Sequence, residues 1–196
     1  MSVAAAILAA GQGTRLASER PKPLVRLADR PLVAWALDAA TSSGLTPVLL
    51  VVGAEHDAVA VAATADVVVV HSARWRDGIA HSLHALLDAL EQDRSVSAVC
   101  VGLADQPLMG AEAYRRLAAA HGNGATVAVA TYGGKRRNPV LLGRGIWPEA
   151  RRLTGDTGAR TLLDGPGVIE VDCTGTGDPR DVDTLEDLRA LEEELT

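Results

Sequence analysis

Short apolar runs alternate with amphipathic stretches along the whole chain. The runs at 3–8, 48–52, 66–70, 97–102, 126–130 and 168–171 are nearly continuous in Ala, Val, Leu and Ile, which predicts strands covered on both faces. Between them, Leu83, Leu86, Leu87 and Leu90 fall on one helical face, Tyr114, Leu117 and Ala118 on a second, and Leu188, Leu191 and Leu195 on a third. Thr184 followed by Asp187 predicts a capping box that starts the last helix. Together these patterns predict an α/β fold: a parallel sheet with helices on both sides. No repeat, low-complexity tract or linker interrupts the pattern, so the 196 residues are expected to form a single domain, 1–196.

Composition narrows the function. A net charge of -6 provides no basic field for nucleic acid, and 3% aromatic residues with no Phe provide no base-stacking platform. Cys100 and Cys173 lack metal-ligand spacing, and Cys100 lies in an apolar run, which predicts a buried thiol in a reducing compartment rather than a disulfide or zinc ligand. The N-terminus has no basic n-region and runs straight into the first strand, and no apolar run reaches the ~20 residues of a membrane span. A cytoplasmic protein with no membrane partner is expected.

Ligands of open α/β sheets sit beyond the carboxyl ends of the strands, so those positions carry the chemistry. After the first run come Leu8-Ala9-Ala10-Gly11-Gln12-Gly13-Thr14-Arg15-Leu16 and then Pro21-Lys22-Pro23-Leu24. Gly11 and Gly13 let main-chain N–H groups approach an anion, and Arg15 and Lys22 can neutralise a polyphosphate. Leu16 stands where a dinucleotide fingerprint needs its third glycine, and no G-K-[ST] follows. Glu55 is too far along to serve as the acidic partner of a dinucleotide fold, which disfavours a Rossmann oxidoreductase. Asp105, at the end of the 97–102 run, is placed to hold Mg²⁺ against phosphate oxygens, or else to cap a turn before Pro107.

Seven segments in order resemble one known family. They are Leu8-Ala9-Ala10-Gly11-x-Gly13-x-Arg15, Pro21-Lys22-x-Leu24, the stretch 78–83, Ala104-Asp105-Gln106-Pro107, Asn138-Pro139-Val140, Gly155-Asp156-Thr157-Gly158-Ala159-Arg160 and Asp181-Val182-Asp183-Thr184-x-Glu186-Asp187-Leu188. The set looks like a nucleotidyltransferase of the molybdenum cofactor cytidylyltransferase type, over almost the whole chain. The resemblance implies a three-layer α/β/α sandwich with a mostly parallel, Rossmann-like sheet, the nucleotide-diphospho-transferase fold, in which an NTP, with CTP favoured over GTP, gives its nucleoside monophosphate to the phosphate of molybdenum-bound molybdopterin. It implies Leu8, Ala9, Ala10, Gly11, Gly13, Gly78 and Ser82 around the nucleotide, with Arg15 and Lys22 on the triphosphate. It further implies Mg²⁺ as cofactor, held by Asp105 and Asp183, with Arg15, Lys22 and Asp105 as the catalytic set. Asn138, Pro139, Asp156 and Arg160 would lie near the acceptor, and a molybdoenzyme would be the client.

Departures keep other readings open. The stretch Arg15-Leu16-Ala17-Ser18-Glu19-Arg20-Pro21-Lys22 is two residues longer than R-M-G-x-x-K in many relatives and resembles sugar-phosphate nucleotidyltransferases, while Asn138-Pro139 replaces a common His-Pro. A guanylyltransferase, a sugar-phosphate nucleotidyltransferase and a non-catalytic molybdopterin-binding accessory protein are the alternatives. Lys135-Arg136-Arg137 reads as a solvated hairpin tip. His71, His81 and His84 lack partnering ligands at metal spacing. Asp156 and Arg160 are spaced either to pair with each other or to leave Arg160 for a phosphate.

Overall fold

The computed structural model describes residues 1–11 and 20–195, with the backbone alone at 158 and 160. In chain order the elements are β1 (Ser2–Ala9), β2 (Arg26–Leu27), β3 (Arg30–Pro31), α1 (Leu32–Ser42), β4 (Val48–Val52), α2 (His56–Ala60), β5 (Val67–His71) and α3 (Ile79–Glu91). There follow β6 (Val96–Leu103), α4 (Ala111–Gly122), β7 (Val127–Tyr132), β8 (Lys135–Gly143), α5 (Trp147–Ala150), β9 (Ile169–Asp172) and α6 (Leu185–Glu194). Single 3₁₀ turns at Lys22–Leu24 and Trp75–Asp77, and a longer 3₁₀ stretch at Gly155–Asp164, border the sheet's carboxyl edge.

One sheet runs β5-β4-β1-β6-β8-β7-β9, and β2-β3 form a separate small hairpin. β1 pairs in parallel with β4 and β6, β4 with β5, and β7 with β9. Only β8 runs against its neighbours. The expected mostly parallel α/β/α architecture is present. β1 is central because Ala4, Ala5, Ala6 and Ile7 are all fully buried, and small side chains let helices approach both faces closely.

One face packs on α1 and α4 through residues such as Val33, Leu37, Tyr114 and Leu117, and the other packs on α3 and α5. The predicted leucine face of α3 is buried to 2% exposure or less at all four positions, each worth about 1.5–3 kcal/mol. That helix is therefore a fixed platform for whatever its first turn presents. α6 buries Leu188 and Leu191 against Leu27 and Leu32, and the Thr184–Asp187 capping box forms.

Three expectations are corrected. The predicted strands lack β8: Lys135, Arg136 and Arg137 are exposed beside the hairpin turn as expected, but the strand runs on from them and Val140, Leu141 and Leu142 are core. Leu195 is 43% exposed, since α6 ends at Glu194 before its face completes another turn. Strands β5 and β9 are edges, so Val68, Val69 and Ile169 reach solvent instead of lying under helices. Cys100 and Cys173 are free buried thiols as expected; burial pushes both up, Cys173 to about 11.

A Cβ on Gly102 of β6 would collide with the hydroxyl of the buried Tyr114 on α4. Gly102→Ala is expected to lower stability by about 1–3 kcal/mol through overpacking. Adding Tyr114→Phe, which removes the colliding oxygen, should recover part of the loss in thermal melting; no recovery would place the strain elsewhere.

Candidate active site

The carboxyl ends of β1 and β6 lie side by side, and the chain beyond them is fixed by main-chain bonds. The Ala104 N–H donates to the Leu8 carbonyl at 3.1 Å and the Ala54 N–H to the Ala10 carbonyl at 3.1 Å. Asp105 follows β6 directly, and its carbonyl accepts the Val182 N–H at 2.8 Å, which brings the segment before α6 to the same place. The capping box then sets the next residues: Asp187 Oδ2 accepts the N–H groups of Asp183 at 3.0 Å and Thr184 at 2.7 Å. A helix cap predicted from sequence thus positions Asp183.

Lys22 joins these pieces. Pro21 and Pro23 flank its position at the start of a 3₁₀ turn, and its Nζ donates to Asp105 Oδ2 at 2.7 Å and Asp183 Oδ1 at 2.6 Å. Burial alone would push this ammonium down; Asp105 and then Asp183 more than offset it and hold it above its usual 10.5. Asp181, two residues before Asp183, is pushed up by partial burial and by the neighbouring Asp105 charge. Gln106 is 2% exposed; it donates to the Pro179 carbonyl at 3.2 Å and accepts from Asn138 Nδ2 at 3.0 Å, linking this turn to β8.

Two adjoining cavities meet at this cluster. The first, about 500 Å³, is lined by Leu8, Ala9, Ala10, Gly11, Gly78 and Ser82 and by Lys22, Asp105 and Asp183. It therefore gathers every described residue expected around the nucleotide or metal. Gly13 and Arg15 lie outside the described residues. Trp75 and Arg76 also border this cavity, with the Arg76 guanidinium 4.3 Å over the indole ring, an arrangement that sequence reasoning did not assign.

Gly78 has φ +108°, and a Cβ there would strike the backbone of Gly155. The glycine is thus required by backbone-to-backbone contact between the start of α3 and the 3₁₀ stretch. That contact brings Asp156 to the border of both cavities.

The second cavity, about 640 Å³, opens where β8 leaves β6. Their pairing stops at Val101 with Val140, while β7 keeps pairing with β8 after two extra residues, Asn138 and Pro139. Asn138 and Asp156, expected at the acceptor, line this cavity; Pro139 does not, because it points to the opposite side of the strand and is buried. The side chain of Arg160 lies outside the described residues. Gln106 and Asp181 were quoted in motifs but assigned no role. Their signal was the strand-end location, which applies equally to neighbours that do nothing.

Asp105 Oδ1 is buried without a hydrogen-bond partner, whereas Oδ2 is taken by Lys22. An acceptor oxygen left this way suits a cation. Among the described residues no three His, Cys, Asp or Glu groups are arranged to hold a metal. The unpaired Asp105 Oδ1 and the neighbouring Asp183 carboxylate offer the donors of a divalent ion that takes one or two carboxylates and completes its shell from phosphate oxygens and water.

Residues 5–171 match the family described as the MobA-like NTP transferase domain. The bifunctional protein GlmU of Bradyrhizobium diazoefficiens is 38% identical over 71% of this chain, which spans about a third (31%) of that protein's length. Nicotine blue oxidoreductase of Paenarthrobacter nicotinovorans is 31% identical over 96% of each chain. Among solved structures, Rv0371c of Mycobacterium tuberculosis H37Rv is 30% identical with a TM-score of 0.81, covering 98% of this chain and 99% of that one. A complex of Rv0371c with manganese superimposes with a TM-score of 0.77 at 27% identity. No helix among the described residues is long and apolar enough to cross a membrane.

Lys22→Met leaves two adjacent carboxylates uncompensated. Because Asp183 is 46% exposed and Asp105 24%, the expected cost is about 1–3 kcal/mol, below the ~3–5 of a fully buried pair. A raised lysine pKa contributes stability that is complete below its unfolded value and lost only as pH rises through the folded one. The gap in denaturation free energy between the variant and the unaltered protein should therefore stay constant from about pH 6 to pH 10; a gap that shrinks within that window would contradict the ion-pair account.

Proposed function

The chain belongs to the MobA-like NTP transferase family, and on that premise we propose that it moves CMP from CTP onto the phosphate of molybdenum-bound molybdopterin and releases pyrophosphate. The observation that carries this reading is Lys22, held by Asp105 and Asp183 at the edge of a cavity lined by the chain's strand-end backbone. A polyphosphate entering there meets an ammonium, two carboxylates suited to a divalent cation, and main-chain atoms around the base.

The acceptor phosphate is already a nucleophile, so the reaction needs alignment rather than a general base. Its oxygen forms a bond to the α-phosphorus as the bond from the α-phosphorus to the oxygen bridging it to the β-phosphorus breaks, and that oxygen leaves with the electron pair as part of pyrophosphate. Lys22 faces the triphosphate and offsets the charge that develops on the leaving group. Arg15 has the same role in this proposal. Asp105 and Asp183 would hold Mg²⁺, which when bound supplies charge neutralisation of the phosphates. Ser82 and Gly78 present the start of α3 to the base, and Asn138 and Asp156 face the acceptor from the second cavity.

A second reading, with a sugar phosphate as acceptor, is favoured by the likeness to GlmU proteins and by the longer spacing between Arg15 and Lys22. The full-length likeness to a protein named as an oxidoreductase leaves the chemistry open at family level. A lysine held between Asp105 and Asp183, with one Asp105 oxygen unpaired, has the charge pattern that a polyphosphate and a divalent cation need, which supports nucleotidyl transfer.

Pyrophosphate release measured with each of CTP, GTP, ATP and UTP, Mg²⁺ and molybdenum-loaded molybdopterin tests the proposal. Release is expected with CTP and should fall about 10²–10³-fold in Asp105→Ala, as for loss of other electrostatic stabilisers. Preference for GTP would move the protein to the guanylyl reaction. Activity only with hexose 1-phosphates would establish the second reading, and silence with every acceptor would overturn nucleotidyl transfer.

A further inference from the structure

The acceptor must bring a phosphate, doubly negative at neutral pH, into a strongly acidic place. Asp105, Asp156, Asp164, Asp181 and Asp183 all line the second cavity. Lys22 is shared between two of them. Of the two arginines on the cavity wall among the described residues, Arg136 is taken up structurally: it pairs with Glu170 on β9 at 2.8 Å and donates to the Leu163 carbonyl at 2.6 Å, pinning the 3₁₀ stretch to the sheet. Arg137 is different. It is exposed, it has no carboxylate partner among the described residues, and its one hydrogen bond is from NH1 to the Arg136 carbonyl at 3.2 Å.

The strand explains this division of labour. Successive side chains of β8 point to opposite sides, so Arg137 shares a side with Lys135, which also lacks an ion pair among the described residues. Arg137 is the last residue paired with β7 before the two extra residues that open the second cavity. It borders that cavity and also a smaller hollow of about 390 Å³ on whose rim Lys135, Asp181 and Asp183 lie. Extra residues in a strand beside a site commonly re-aim a side chain. Here they set a guanidinium without an ion pair among the described residues at the mouth of a cavity one wall of which is apolar, built from Leu83, Val101, Leu103, Val129, Val140 and Leu163.

The geometry points to Arg137, supported by Lys135, as the group that receives the acceptor's phosphate, and to an acceptor whose body beyond that phosphate presents an apolar face to this wall. This rests on the nucleotidyl-transfer reading and deepens it by naming the acceptor class. The guanidinium fork matches two phosphate oxygens, leaving a third to attack the α-phosphorus. The charge it supplies offsets the repulsion from the aspartates around it.

The test uses the full chain saturated with Mg²⁺ and a CTP analogue carrying a methylene between the α- and β-phosphorus, with phenyl phosphate titrated by calorimetry. Phenyl phosphate should bind more tightly than glucose 1-phosphate. Arg137→Gln should weaken phenyl phosphate binding about 10–100-fold, the range expected for losing a charged hydrogen-bond pair, with affinity for the analogue and melting temperature unchanged. Arg137→Lys should recover part of that loss, having charge without the fork. Equal binding by Arg137→Gln and the unaltered protein, or no binding of phenyl phosphate by the unaltered protein, would overturn the assignment. Tighter glucose 1-phosphate binding would overturn the apolar class. Failure of the analogue itself to bind would reject nucleotidyl transfer instead, and the Arg137→Gln comparison would still decide whether Arg137 holds the phosphate.

Discussion

Everything at the sheet's carboxyl edge is organised around one ammonium group. Lys22 reaches two carboxylates that are 83 and 161 positions away in sequence, so three remote segments are held together by a charge that none could balance alone. An aspartate at the end of β6 and another before α6 would repel if brought together without it. With Lys22 between them, the β6 turn, the cap of α6 and the turn after the glycine loop become one rigid corner. The neighbouring network of Gln106 and Asn138 extends that corner to β8. The same arrangement leaves one oxygen of Asp105 unpaired, so the corner is satisfied enough to fold and unsatisfied enough to take up a ligand.

Most of the fold was legible because it obeys simple periodicities. Continuous apolar runs marked the buried strands, leucine spacing marked α3, and Thr184 with Asp187 marked the start of α6. What was not legible depended on partners. β8 opens with Lys135, Arg136 and Arg137, a charge run that looks solvated until Glu170 and the bulge are seen across the sheet. β5 and β9 have the composition of interior strands yet lie at the edges, because strand order is decided by how the crossovers pack and not by the strands' own residues.

The site shows the same division. Residues recognised by type and by position after a strand, such as Lys22, Asp105, Asp183 and Ser82, converge on one cavity. Residues whose importance comes from what they lack could not be picked out. Arg137, unlike Arg136, has no acid paired with it among the described residues, and Pro139 is buried while its neighbour Asn138 lines the second cavity. Gly78 was assigned to the nucleotide wall, which it lines; its reason for being glycine is the Gly155 backbone.

That last contact joins two functions in a single seam. The start of α3, which borders the first cavity, has no side chain or solvent layer separating it from the 3₁₀ stretch that borders the second. A shift of either wall is transmitted to the other without a compressible layer between. If occupancy of one cavity displaces its wall, the free energy of filling its neighbour changes with it, and thermodynamic reciprocity requires the influence to be equal in both directions. In the proposed reaction the two substrates would accordingly load as mutually dependent events, coupled through the methyl group that Gly78 lacks.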